Sequence, residues 1–180
     1  MKIFLIGPMG SGKSKIGKIL SNKLNFNHYD IDKEIERSLS LNINEIFESK
    51  GEDFFRSIET DFLKESKTLN NTVISTGGGV IEKQENLELL RNELNVIFLN
   101  CSVESQFNNT KGSSKRPLLN TSNPKLVLKN LYEKRLDSYK QLAKLELLSD
   151  SMSNEDIANK IIEYLNCLLY TSPSPRDPSI

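Results

Sequence analysis

Residues 7–14 read GPMGSGKS, and this short stretch decides the fold. The four residues before it, IFLI at 3–6, form an apolar run that is too short for a helix and predicts a strand buried on both faces. After it, residues 13–24 carry apolar side chains at helical spacing. The three glycines therefore lie at a strand-to-helix turn.

This turn fits the pattern G-x-x-x-x-G-K-[ST], with Gly7, Gly12, Lys13 and Ser14 in the fixed places. Glycines let the backbone curl so that successive N–H groups point inward, and the positive end of the helix dipole completes a nest for phosphate oxygens. In that arrangement Lys13 reaches the β- and γ-phosphates, and the Ser14 hydroxyl is a ligand of Mg²⁺. The stretch predicts a nucleoside triphosphate site, with an ordinary glycine turn as the alternative.

Length, charge balance and cysteine content limit the classes of protein to which this chain can belong. A length of 180 residues favours one domain, and 24 basic against 24 acidic residues leave no global charge that would attract nucleic acid or a membrane surface. Cys101 and Cys167 have neither metal-ligand spacing nor the density of a disulfide scaffold, which favours reduced thiols. Since we find no long apolar run and no signal peptide, we expect a soluble cytoplasmic protein.

Strand and helix patterns alternate along the chain. Strands are predicted at residues 2–6, 28–30, 72–75, 95–99 and 146–149, and helices at 13–24, 32–40, 43–49, 54–69, 82–93, 124–136 and 154–166. This order predicts an α/β fold in three layers, α/β/α, with a five-stranded parallel sheet between the helices.

One connection is unusually long and polar. Residues 108–123, NNTKGSSKRPLLNTSN, contain turn-forming residues, the cations Lys111, Lys115 and Arg116, and few apolar anchors. Connections of this length in compact domains are commonly lids or disordered segments, and we expect a mobile lid here.

The C-terminal stretch differs from the rest of the chain. Apolar periodicity stops before residue 167, and residues 167–180 are rich in proline and serine. A linker or disordered tail is one interpretation. The run CLLYTSPSPRD also resembles the translation of a sequencing adapter, so we interpret residues 167–180 as a non-native or disordered tail and residues 1–166 as the functional domain.

Polar and flexible residues follow the second and third predicted strands, where sites of parallel sheets lie. Asp30 and Asp32 come after the second strand, and we expect both on one side of an extended stretch, where one can hold Mg²⁺ and the other can accept a proton. The alternative is a helix N-cap followed by a first-turn acid. Residues 77–79 are three glycines that would let a ligand approach the backbone, although a plain turn would need only one.

Two arginines are further candidates. Arg56 lies at the start of a predicted helix, where the dipole disfavours a cation, and Glu59 three residues later can orient it. Arg135 lies near the predicted end of another helix, so a solvated surface charge is its alternative interpretation.

Taken together, these motifs resemble the shikimate kinases, in the nucleoside-monophosphate-kinase-like group of P-loop enzymes. The resemblance covers residues 1–166. It comprises G-x-x-x-x-G-K-S, D-x-D at 30–32, F-R-x-x-E at 55–59, the triple glycine, R-P-L-L at 116–119 and R-x-x-x-Y at 135–139. The first motif is shared with many NTPases, and the other five in this order are specific to the family.

The resemblance implies transfer of the γ-phosphoryl group of ATP to the 3-hydroxyl of shikimate, on the route to chorismate and the aromatic amino acids. Asp32, Arg56, Gly78 and Arg135 match the positions that hold shikimate. Lys13, Asp32 and Arg116 match the catalytic positions, with Arg116 in the lid. The loop residues that match the ATP phosphate site are Gly10, Ser11, Gly12, Lys13, Ser14 and Lys15. Ser14 and Asp30 match the contacts of Mg²⁺, and a monomer is expected.

Some positions depart from the family pattern. Asn109 stands where an arginine commonly stacks on adenine, and residues 149–156 lack a proline that the adenine-side loop often carries. The rival interpretations are another small-molecule kinase of the same fold, such as a gluconate kinase, and a catalytically silent binding module. The first would not need Arg56 and Arg135 together, and the second would have lost residues such as Lys13, Asp32 or Arg116.

Overall fold

The computed structural model describes residues 1–171 as an α/β fold in three layers, as predicted. The strands are β1 (Lys2–Ile6), β2 (Asn27–Asp30), β3 (Thr72–Ser75), β4 (Val96–Asn100) and β5 (Leu145–Leu148). They form one parallel sheet in the order β2-β3-β1-β4-β5. Within residues 1–171 we find no helix that combines the length and the apolar character needed to cross a membrane.

Eight helices flank the sheet in the described part of the chain. They are α1 (Lys13–Leu24), α2 (Ile31–Leu39), α3 (Ile43–Lys50), α4 (Glu52–Ser66), α5 (Gln84–Arg91), α6 (Val103–Thr110), α7 (Pro124–Leu142) and α8 (Asn154–Thr171). Short 3₁₀ turns cover Val80–Glu82, Pro117–Leu119 and Ser149–Ser151.

The apolar run before the glycine loop forms the centre of the sheet. Successive side chains of β1 point to opposite faces, so Phe4 and Ile6 join a core with α2, α3, α4, α5 and α7. Ile3 and Leu5 join a second core, formed with α1 and α8. Because both faces are covered by helices, the central strand is apolar and buried from Ile3 to Ile6, as is typical of parallel sheets.

The parallel strands bring the predicted site residues to one edge. The carboxyl ends of β1, β2 and β3 lead into the phosphate loop, Asp30 and the triple glycine. Thr76 fixes two of these ends to each other, since its backbone N–H and its hydroxyl both donate to the carbonyl of Leu5, at 3.2 and 2.9 Å.

The structure corrects several predicted elements. Helix α4 covers Glu52–Ser66 instead of 54–69, and α5 covers Gln84–Arg91 instead of 82–93. Helix α6 was not predicted, and it takes residues 108–110 out of the predicted lid loop. Helix α7 continues six residues beyond the predicted end at 136, because Tyr139 and Leu142 extend its buried face.

A further correction concerns the C-terminal tail. Helix α8 continues to Thr171 instead of ending at residue 166, so the first residues of the predicted tail are helical. This extension adds little to the core, since Leu165 is the last buried side chain among residues 1–170, and Leu169 and Tyr170 are 65% and 90% exposed. Residues 172–180 of the predicted tail lie outside the described residues.

Candidate active site

The phosphate loop has the geometry that its glycines predict. Gly12 caps α1 with φ 91°, a left-handed conformation that favours glycine, and no side chain caps the first N–H groups of this helix. These donors and the helix dipole face a cleft of about 440 Å³. The predicted loop residues Gly10, Ser11, Gly12, Lys13, Ser14 and Lys15 all line it. The loop can therefore bind an anion of phosphate size.

Lys13 is held inside its own loop. Its Nζ donates to the carbonyls of Gly7 and Pro8, both at 2.7 Å, and more weakly to Ser11 Oγ at 3.4 Å. Burial lowers the pKa of Lys13 to about 8, and the positive charge of Arg116 acts in the same direction. A phosphate in the cleft would supply the opposite charge that this ammonium lacks.

Ser14 and Asp30, the two residues predicted to contact Mg²⁺, lie next to each other. Ser14 Oγ donates to Asp30 Oδ2 at 2.5 Å, and Asp30 Oδ1 caps α2 by accepting from the N–H of Lys33. Asp30 therefore fulfils its alternative role as an N-cap as well. Hydroxyl and carboxylate oxygens suit Mg²⁺, which binds proteins through one or two carboxylates and keeps several waters. Among residues 1–171 no group of three or more His, Cys, Asp or Glu could hold a metal by itself.

Asp32 lies in the first turn of α2, so the predicted extended stretch through Asp30 and Asp32 is wrong. The strand ends earlier because Asp30 caps the helix directly. Asp32 Oδ1 is buried without a hydrogen-bond partner. Burial and the neighbouring charge of Asp30 both raise the pKa of Asp32. A carboxylate with a buried, unpartnered oxygen and a raised pKa can accept a hydrogen bond or a proton from a ligand.

Arg56 is buried, and it is paired with Glu59 as predicted. Its Nη1 donates to Glu59 Oε2 at 2.9 Å and its Nη2 to Glu52 Oε1 at 3.2 Å. Glu59 is fully buried, and this burial raises its pKa to about 7 although Arg56 opposes the shift. Arg56 Nε and Glu59 Oε1 are both buried without a hydrogen-bond partner. Such atoms mark a place where a polar ligand would complete the hydrogen bonding.

Arg135 is a pocket residue, so its interpretation as a surface charge near a helix end is wrong. It lies in the interior of α7 and is only 2% exposed. Its Nε and Nη2 both donate to Glu82 Oε1, at 2.9 and 2.6 Å. Although burial opposes it, this bonding lowers the pKa of Glu82. The longer α7 explains the error, because burial of Tyr139 keeps this turn of the helix inside the protein.

Two residues of the triple glycine, Gly77 and Gly79, make room for a charged group, and Gly78 lies in ordinary contact with a third. A Cβ at Gly77 would lie 2.6 Å from Glu59 Oε1, and one at Gly79 would lie 2.5 Å from Arg56 Cζ. A Cβ at Gly78 would lie 3.5 Å from Arg135 Nη1. One glycine would not suffice here, so the interpretation as a plain turn is wrong.

The residues that resemble acceptor-binding positions line one pocket. Asp32, Arg56, Gly78 and Arg135 surround it, with Arg116 at its boundary. Arg116, Asp32 and Gly78 also line the phosphate cleft, so the two cavities meet at these residues. A phosphate bound by the loop and an acceptor held by the arginines would face each other there.

Two residues of the predicted lid segment, 108–123, form hydrogen bonds with other parts of the structure. The Asn109 amide donates to the carbonyl of Gly10 at 2.9 Å, and the Asn44 amide donates to the carbonyl of Ser114. The position that departs from the family pattern thus ties α6 to the phosphate loop.

Sequence reasoning gave no role to three residues of this site, although Tyr139 is part of the R-x-x-x-Y motif. Glu52 and Glu82 are the carboxylates of the arginines, and Tyr139 donates to the carbonyl of Gly78 at 2.5 Å. The four-residue spacing between Arg135 and Tyr139 places both on one helix face and could have indicated that Tyr139 supports the same pocket. No pattern in the sequence marks Glu82.

Comparisons with known proteins agree with this geometry. A family model described as shikimate kinase matches residues 9–166. A shikimate kinase from Marinomonas sp. (strain MWYL1) is 41% identical over 164 residues, which cover 89% of this chain and 90% of that protein. Shikimate kinase from Acinetobacter baumannii in complex with shikimate superposes with a TM-score of 0.89 at 35% identity, covering 96% of this chain and 95% of that one. A deoxyadenosine kinase from M. mycoides shares the fold, with a TM-score of 0.60 at 18% identity.

Proposed function

The chain belongs to the shikimate kinase family, and we propose that its two joined cavities carry out the family's reaction, with ATP in the phosphate cleft and shikimate between Arg56 and Arg135. The chain is thus a phosphotransferase that phosphorylates shikimate in the biosynthesis of aromatic compounds.

The acceptor side carries the proposal. The decisive observation is that two buried guanidinium groups lie against the triple glycine, with Asp32 on the same pocket wall. Arginine is suited to a planar carboxylate because its N–H groups match the two oxygens. Arg56 and Arg135 would bind the carboxylate of shikimate, the backbone at Gly78 would border it, and Asp32 would bind ring hydroxyls.

The nucleotide side uses the loop amides from Gly10 to Lys15 for the phosphates of ATP. Lys13 would exchange its bonds to the loop carbonyls for phosphate oxygens, because a phosphate offers a full negative charge. Ser14 and Asp30 would hold Mg²⁺, Asp30 through a water. The bound ion would neutralise charge on the β- and γ-phosphates.

Phosphoryl transfer depends on positioning and on neutralisation of charge. Asp32 would orient the 3-hydroxyl towards the γ-phosphate and take its proton, a role that its buried, unpartnered Oδ1 supports. Lys13 and Arg116 would stabilise the negative charge of the transferred group. A lid over residues 111–123, the predicted segment without the three residues of α6, would exclude water, which would otherwise accept the phosphoryl group.

The remaining parts of the proposal rest on the sequence. We propose that residues 1–166 form the functional unit and that residues 167–180 contribute nothing to it. We propose a cytoplasmic monomer that does not bind nucleic acid, on the basis of the balanced charges and of two cysteines without disulfide or metal spacing.

The test of the acceptor assignment is kinetic. Arg56→Ala and Arg135→Ala should each raise KM for shikimate about 30- to 150-fold, because a lost charge-assisted contact costs about 2 to 3 kcal/mol. KM for ATP should stay within about twofold, since neither arginine lines the phosphate cleft.

Arg37→Ala is the matched control, because Arg37 is an exposed arginine that pairs only with Glu34 of its own helix in the described structure. It should leave both KM values unchanged. A defect confined to ATP in both pocket variants would point to a different acceptor site.

A further inference from the structure

Glu82 is a carboxylate at the acceptor side that the catalytic and binding roles leave unused. It ends the 3₁₀ turn Val80–Glu82, which follows the triple glycine directly. Its Oε1 accepts from both Nε and Nη2 of Arg135, and Lys134 Nζ lies 3.7 Å from the same oxygen. The side chain of Arg135 is nearly inaccessible, whereas that of Glu82 is 21% exposed. Glu82 thus covers the outer side of Arg135.

The way in which Glu82 binds Arg135 matters for the ligand. A guanidinium group has two edges that can bind a carboxylate, one formed by Nε and Nη2 and one by Nη1 and Nη2. Glu82 occupies the first edge. Nη1, on the second edge, lies beside Gly78 at the wall of the acceptor pocket.

We propose that Glu82 is a positioning residue for the acceptor: it holds the outer edge of Arg135 so that the Nη1–Nη2 edge faces the pocket and binds the carboxylate of the substrate. The inference rests on the proposed function, because it takes Arg135 as a shikimate ligand.

The surroundings make this orientation rigid. Tyr139, one turn after Arg135 on α7, donates to the carbonyl of Gly78. Helix α7 therefore grips the segment from Gly78 to Glu82 at both ends, through Tyr139 and through Arg135. Neither the pocket wall nor the guanidinium can turn without breaking one of these contacts, and a fixed fork loses less entropy when it binds.

Arg56 provides the contrast within the same pocket. It uses Nη1 and Nη2 for Glu59 and Glu52, and its Nε stays buried without a partner. The two arginines therefore present different edges. In Arg135 the edge next to Gly78 is not the edge that Glu82 binds, and the bonds to Glu82 maintain this orientation.

The experiment measures shikimate binding by calorimetry on the full chain, together with steady-state kinetics. Glu82→Ala should weaken the affinity for shikimate about tenfold, with kcat and KM for ATP within about twofold, because Arg135 loses its orientation and nothing on the nucleotide side changes. Glu82→Gln should restore most of the affinity, since its amide oxygen can accept the same two hydrogen bonds.

Two more variants separate positioning from general effects. Glu85→Gln removes a carboxylate three residues further on that pairs with exposed Lys64, and it should leave affinity unchanged. Glu82→Ala in an Arg135→Ala background should have no further effect, because Glu82 acts through Arg135. If Glu82→Ala does not fold, Glu82→Asp takes its place. It keeps the charge but draws the oxygen away from the guanidinium edge, and it should also weaken binding.

The outcomes are distinct. Unchanged affinity in Glu82→Ala or Glu82→Asp overturns the inference while leaving the proposed function intact. If Glu82→Gln binds shikimate more tightly than the unaltered chain does, the inference is also overturned. The carboxylate of Glu82 would then compete with the substrate for Arg135. Failure of the unaltered chain to bind shikimate at all would overturn the proposed function itself.

Discussion

Gly79→Ala adds one methyl group beside Arg56 and tests whether the acceptor pocket needs this arginine in its present position. The backbone at Gly79 has φ −90° and ψ 8°, a conformation that alanine can adopt, so the substitution does not strain the main chain. The added Cβ would lie 2.5 Å from Arg56 Cζ, whereas ordinary contacts begin near 3.4 Å, so the guanidinium must move by about 1 Å.

A displacement of about 1 Å in a positioning group can cost about 100-fold in activity, and we expect KM for shikimate to rise by about that factor. KM for ATP should stay within about twofold, because Arg56 does not line the phosphate cleft. The free energy of unfolding should fall by about 1 to 3 kcal/mol, since the buried bond between Arg56 and Glu59 is disturbed.

The assay varies shikimate at saturating ATP and records thermal unfolding of the same samples. Gly78→Ala is the graded comparison, because its Cβ would stay 3.3 Å from the nearest atom, the backbone nitrogen of Met9, and should have a smaller effect. A Gly79→Ala protein with the shikimate KM of the unaltered chain would refute the reasoning that Gly79 exists to accommodate Arg56.

Three further predictions concern the nucleotide, the lid and the tail. The pKa of Lys13 is lowered to about 8, and phosphates bind its protonated form, so the affinity for ATP should fall as the pH rises through 8. Calorimetry in buffers of different ionisation enthalpy should show proton uptake on ATP binding. An ATP affinity that does not change from pH 7 to 9 would contradict this prediction. Arg116→Ala should lower kcat about 100-fold, because Arg116 stabilises the charge of the transferred group. The dissociation constants of ATP and shikimate, measured separately, should change less. An equal loss in binding would show that Arg116 contacts the ligands in the ground state. A chain ending at Asn166 should keep its turnover rate and its melting temperature to within about 2 °C, since Leu165 is the last buried side chain of α8 among residues 1–170. A larger drop in melting temperature would show that the last turn packs on the core.

Local constraints explain what the sequence predicted well. The phosphate loop and its flanking elements depend on residues that are neighbours in the chain, and β1 and α1 have the predicted bounds. Helix α6 escaped prediction because its buried residues are the polar Gln106 and Thr110. Gln106 donates to the carbonyl of Cys101 and Thr110 to that of Gln106, so no apolar periodicity marks this helix.

The candidate site was predictable to the extent that its chemistry is local. Glu59 was predicted as the partner of Arg56 because the two residues lie one turn apart on α4. Glu82 was missed because 53 residues separate it from Arg135, and only the packing of α7 against the turn after β3 brings them together. The same packing buries Arg135, which periodicity alone had left open as a surface charge.

The central claim, that this chain transfers the γ-phosphoryl group of ATP to the 3-hydroxyl of shikimate, is tested most directly by one measurement. ADP release is followed with Mg²⁺ and ATP in the presence of shikimate, of gluconate or of no acceptor, and the phosphorylated product is identified by ³¹P NMR. Of the three conditions, we predict rapid ADP release only in the presence of shikimate, with one equivalent of shikimate 3-phosphate formed for each ADP. Turnover with gluconate instead, or no acceptor-dependent release at all, would contradict the account.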